Sequence, residues 1–118
     1  MRASECARGD VIRVRLDPSV GREQAKTRPC LIVQTPMLRR AQTTIVLPIC
    51  EELLDRKLPF LVAVPKGEGG LTKDSHILVH QIRVVDESRI VERLGAVKSR
   101  TMAAVDEALK FTLDIDQD

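Results

Sequence analysis

Proline constrains this chain before any other residue type does. A proline cannot donate to a strand ladder, and it favours turns. Here Pro18, Pro36 and Pro65 each follow a short apolar run, and Pro48 stands inside one. Runs cut this short read as strands of a small, strongly bent sheet. Ile12, Val14 and Leu16 alternate with Arg13 and Arg15, the period-two pattern of a half-buried strand that Asp17-Pro18-Ser19 ends. Cys30-Leu31-Ile32-Val33 is apolar on both faces and reads as a central strand, closed by Pro36. Thr43 to Leu47 opens a third, in which Pro48 implies an edge, a bulge or a bend. Phe60 to Val64 is a fourth, and His76 to Val79, Ile82 to Val85 and Ile90 to Val97 are further β segments.

The connections differ in character. Residues 1–8 read as a flexible arm ahead of a single domain at 9–118. The polar loop from Ser19 to Thr27 is long for a hairpin, and such loops tend to be functional or mobile. Glu51 to Lys57 reads as a polar connection, and Lys66-Gly67-Glu68-Gly69-Gly70 as a flexible loop. At the C-terminus the period changes. Met102, Val105, Leu109 and Leu113 recur at helical spacing, with Ser99 as N-cap and Asp106 and Lys110 spaced to pair. Acidic residues after Leu113 disfavour continuing the helix, because its C-terminal dipole repels negative charge. The sum is a mainly β fold with a C-terminal α-helix, its strands wrapped into a small partial barrel.

Composition narrows the function. The 118 residues are 43% hydrophobic and 31% charged, which suits one soluble domain. No apolar run approaches the ~20 residues of a membrane helix, and the first residues do not form a secretory signal. Three widely spaced cysteines without a C-x-x-C pair argue against zinc and redox motifs and for reduced thiols in the cytoplasm. No metal cluster, phosphate-binding glycine loop or serine-hydrolase motif is visible, so neither metal nor cofactor is expected. The net charge is only +2, yet between Gly21 and Arg40 five basic residues (Arg22, Lys26, Arg28, Arg39, Arg40) face one acid, Glu23. Such a patch attracts phosphates. Without Trp or Tyr the chain offers few platforms for stacked bases.

Four residue types carry candidate chemistry. Arg28, just before Pro29 at the start of a buried strand, could clamp a phosphate and stabilise charge developing on it. Glu23, among Arg22, Lys26 and Arg28, could orient Arg28 or act as a base. His76 and His80 are the only histidines; on one extended strand they would share a face about 13 Å apart, too far to ligate one metal. His80 is placed at a strand end and can transfer protons near neutral pH. Cys50 precedes Glu51-Glu52, which disfavours a thiolate.

An ordered set of motifs resembles the MazF/PemK family of toxin endoribonucleases. It comprises Gly9-Asp10-Val11-Ile12, Leu16-Asp17-Pro18, Gly21-Arg22-Glu23-Gln24, Thr27-Arg28-Pro29-Cys30-Leu31-Ile32-Val33, Leu47-Pro48-Ile49, Leu58-Pro59-Phe60, Asp74-Ser75, Gln81-Ile82-Arg83 and Val105-Asp106-Glu107-Ala108-Leu109. Each piece is weak alone; the order from about residue 9 to 115 makes the set specific. The resemblance implies an SH3-like barrel, a homodimer in the cytoplasm, and metal-independent cleavage of single-stranded RNA by attack of a 2′-hydroxyl. It implies 2′,3′-cyclic phosphate and 5′-hydroxyl ends, and a cognate MazE-like antitoxin with an acidic, flexible segment. It assigns catalysis to Arg28, Cys50, Glu23 and His80, and RNA contact to Arg22, Gln24, Lys26, Thr27, Thr44 and Gln81. Two positions depart from the family pattern: Cys50 stands where many relatives carry threonine, and His80 where one branch carries an acid/base aspartate. The alternative is a non-catalytic toxin of the same fold, either a gyrase binder like CcdB or a degraded RNA-binding member.

Overall fold

The computed structural model describes residues 1–38, 40–52 and 57–116. Its elements are β1 (Asp10–Arg15), β2 (Thr27–Ile32), β3 (Thr43–Cys50), β4 (Leu61–Val64), β5 (Ser75–Leu78), β6 (Arg83–Asp86), β7 (Ile90–Ala96) and α1 (Ser99–Thr112). All described strand pairs are antiparallel, in the order β4-β5-β3-β2-β1-β7, with β6 also on β3. The expected central strand at Cys30 is central: β2 lies between β1 and β3.

Alternation along the strands feeds two apolar clusters on opposite faces of the sheet. Val11, Leu31, Leu47 and Ile49 point to one, which α1 covers with Val105 and Ala108. Ile12, Val14, Leu16, Cys30, Ile32, Val46, Val85 and Ile90 fill the other, inside the curl of the sheet. Val11 and Ile12 are both fully buried, so β1 is covered on both faces there and is not the half-buried strand expected. Two register shifts between β1 and β7 bend the sheet. Arginines hold the open side: Arg15 donates to the Ser88 carbonyl at 2.6 Å and Arg89 to the Arg15 carbonyl at 3.0 Å.

Pro48 sits in β3 where one neighbour gives way to another. Thr43–Val46 pairs with β6 and Ile49–Cys50 with β5, so Leu47 and Pro48 are the unpaired step on that edge. Opposite them the chain runs from Ile77 to Arg83, and residues 78–82 bulge out, with a 3-10 turn at Val79–Gln81. The sequence-based bend at Pro48 is therefore real, and it creates the turn that carries His80.

Several expectations are corrected. Residues 1–8 are held down: Ala3 is buried, its N–H donates to Glu87 at 2.9 Å, and Arg8 pairs with Asp106. That pairing also displaces the expected Asp106–Lys110 contact; Lys110 reaches Glu107 at 3.3 Å. Lys98 is the N-cap, not Ser99, and no side chain of its own caps the helix. Glu68 does so from afar, accepting the Lys98 N–H at 3.1 Å and the Thr101 hydroxyl at 2.5 Å. Residues 66–70 are thus no flexible loop. A Cβ on Gly70 would meet the Leu94 carbonyl oxygen at 2.2 Å, and one on Gly95 would meet the Gly69 carbonyl carbon at 2.8 Å, so only glycine permits the approach. His76 and His80 do not share an extended strand, because β5 stops at Leu78. Arg39 and residues 53–56 of the expected polar connection lie outside the described residues.

Candidate active site

A cleft of about 480 Å³ opens where the β1–β2 loop meets the bulge opposite Pro48. Arg22, Glu23 and Gln24 line it from the loop, Pro48 from β3, and His80, Gln81, Ile82 and Arg83 from the bulge and β6. Three stretches far apart in sequence converge here because the ladder is broken at Pro48. Arg83 Nη1 donates to the Leu16 carbonyl at 3.3 Å, tying the bulge side to the end of β1.

Arg28 is not among the cleft-lining residues, but the strand register places it beside them. Cys30 pairs with Pro48 across β2 and β3, and Cys50 pairs with His76 across β3 and β5. Two residues beyond the Cys30–Pro48 pair the strands carry Arg28 on β2 and Cys50 on β3. Cys50 is paired with His76, and Arg28 lies two residues along β2 from the partner of Pro48, so by alternation all three are on the face of the sheet that carries Pro48. Arg28 is half-buried, and its Nε donates to the Ala25 carbonyl at 3.2 Å, which turns the guanidinium under the loop. Among the described residues its two terminal nitrogens have no other partner. His76 is the residue that sequence reasoning underrated. It is buried at 6% exposure beside the partly exposed Cys50, a neighbour that only register reveals.

The remaining expected residues divide. Glu23 is exposed, and its carboxylate accepts the Val20 N–H at 2.7 Å, so it stabilises its own turn. His80 packs against Phe60 with ring centroids 4.3 Å apart, and burial lowers its pKa, which favours the neutral imidazole. Gln81 bridges to the loop. Lys26 and Thr27 are exposed at the loop's end. Thr44 is corrected as an RNA contact: it is 3% exposed, on the face of β3 that packs with Val85 into the inner cluster. Cys30 is likewise sealed, and burial pushes its thiol up to about 12 despite the nearby charge of Arg83.

Residues 7–113 match the model of the PemK-like, MazF-like toxins of type II toxin–antitoxin systems. This chain belongs to the PemK/MazF toxin family. It is 37% identical over 107 residues to "Endoribonuclease EndoA" of Bacillus subtilis (strain 168), covering 90% of this chain and 92% of that one. It is 37% identical over 109 residues to "Endoribonuclease MazF" of Staphylococcus epidermidis, covering 92% and 91%. Two solved structures share the PemK/MazF fold. One is MazF from Deinococcus radiodurans (TM-score 0.79, 22% identity, 92% of this chain and 96% of that one). The other is an endoribonuclease from a mycobacterial species in complex with its cognate antitoxin (TM-score 0.78, 21% identity, 96% and 99%). The SH3-like fold expected of a PemK/MazF member is thereby shown. Among the described residues no group of three potential metal ligands occurs, and no helix is long and apolar enough to cross a membrane.

Proposed function

We propose that this PemK/MazF-family chain is the toxin of a toxin–antitoxin pair and cuts single-stranded RNA without a metal ion. The observation that carries the proposal is the Cys50–His76 pair, with Arg28 on the same face of the sheet, at the strand ends beside a cleft lined by Arg22 and Arg83. The endoribonuclease names of both 37%-identical relatives favour this reading over a gyrase-binding one.

The chemistry follows from the groups present. A 2′-oxygen attacks the adjacent phosphorus as its proton leaves, and the bond from phosphorus to the 5′-oxygen breaks. The products are a 2′,3′-cyclic phosphate and a 5′-hydroxyl, whose oxygen takes a proton from solvent water as it leaves. Negative charge builds on the non-bridging oxygens during attack. Arg28, always cationic and with its terminal nitrogens unpartnered among the described residues, stabilises that charge, and Cys50 on the same face adds a weak S–H donor. His80, held neutral, accepts the 2′ proton; the Glu23 carboxylate is already engaged with Val20. Arg22, Gln24, Lys26 and Thr27 form the RNA-facing rim, and Gln81, expected with them, is bonded to the loop that carries them. A homodimer in the cytoplasm, neutralised by an antitoxin with an acidic flexible segment, completes the reading; the basic loop suits such a segment.

The decisive experiment digests total RNA with the purified protein in EDTA and sequences the 5′-hydroxyl ends. Discrete cut sites are expected. The rate should fall on the acid side with a midpoint below the 6.5 of an ordinary histidine, as His80 takes up a proton. Intact RNA in this assay would defeat the proposal.

A further inference from the structure

Among the described residues, one side chain fastens residues 19–26 of the loop across the cleft. Gln81 Oε1 accepts the Gln24 N–H at 2.8 Å, and Gln81 Nε2 donates to the Arg22 carbonyl at 3.5 Å. A carboxamide carries the same donor and acceptor as a peptide group. Gln81 therefore gives residues 22–24 what a neighbouring strand would give them. The loop's other bonds are local. Ser19 Oγ donates to the Gln24 carbonyl at 2.9 Å, the Leu16 N–H to the Lys26 carbonyl at 2.7 Å, and Arg28 Nε to the Ala25 carbonyl at 3.2 Å. Among the described residues none of these crosses the cleft. The loop also lacks an apolar anchor: Val20 is 78% exposed.

We infer that Gln81 is a latch, a positioning residue that sets where Arg22 and Gln24 stand over Pro48, and not a direct reader of RNA. Both ends of its carboxamide are already taken up by the loop. The consequence for RNA rests on the function proposed above; the latch itself does not.

The test uses the full chain and two variants. In Gln81→Leu, amide hydrogen exchange at Gln24 should speed up roughly fivefold or more, while Leu31 in β2 stays protected. Gln81→Glu keeps an acceptor for the Gln24 N–H, so exchange there should stay within about threefold of the parent. On an RNA substrate Gln81→Leu should raise KM with kcat little changed, the mark of lost positioning of binding groups. Unchanged Gln24 exchange in Gln81→Leu overturns the latch, as does equally fast exchange in both variants. A fall in kcat at constant KM overturns the positioning role and makes Gln81 part of the chemistry. If the parent cuts no RNA, the proposed function fails, and the exchange measurements still decide the latch.

Discussion

The loops at residues 19–26 and 66–70 look alike in composition: each is polar, charged and glycine-bearing. Their fates differ. The second is pressed against β7, with Glu68 and Gly69 buried and the Glu68 carboxylate capping α1. The first stands over a cleft, with Arg22 and Glu23 exposed and Gln81 as its cross-cleft restraint. One loop has become part of the core, and the other has been kept out of it. Stability and function are thereby separated into two loops on one small sheet. The first can serve ligand binding because the second secures the helix.

That division can be broken by substitution, and the largest effect is expected at Gly70. A Cβ there meets the Leu94 carbonyl at 2.2 Å on a backbone with φ +74, so Gly70→Ala should cost about 3 kcal/mol or more. Thermal unfolding checks this, and a midpoint equal to the parent's would mean that the loop is not packed as described. Next comes Arg28→Ala on the cleft side. RNA cleavage should fall ~10²-fold, with little change in unfolding midpoint. An undiminished rate would remove Arg28 from the site.

Glu68→Ala should cost about 1–2 kcal/mol at neutral pH. Burial raises the Glu68 pKa, but the Thr101 hydroxyl, the Lys98 N–H and the charges of Lys98 and Arg100 outweigh it and hold the carboxyl below its ordinary 4.5. The associated stability is present above 4.5 and lost as pH falls through the lower native value. Urea unfolding at pH 7 and at pH 3 should thus show the variant and parent converging in acid, and a constant gap would refute the assignment. The smallest effect is expected for Gly21→Ala, where φ is +59 but nothing lies within 4 Å of the new Cβ. About 1 kcal/mol of backbone strain is expected. A loss as large as that of Gly70→Ala would erase the contrast between the loops.

Much of the fold was legible in the sequence because its signals are local. Proline marked strand ends and the bend at Pro48, and the spacing of Met102, Val105 and Leu109 marked the helix. What was not legible depends on partners far along the chain. Nothing near Gly70 announces Leu94, and nothing near Asp106 announces Arg8, which took it from Lys110. The site shows the same divide. Arg28, Glu23, Cys50 and His80 could be singled out as chemical types. The burial of Thr44 and the adjacency of His76 to Cys50 are properties of register, which a one-residue slip would reverse.

Pro48 has one more consequence. β5 and β6 are pinned to β3 on either side of it, and the excursion between them splits its residues: Val79 is fully buried in the core beneath α1, while His80 and Gln81 line the cleft. A new side chain at residue 80 would reshape what enters the cleft while the barrel stays put, whereas Val79 beside it is fixed by the core.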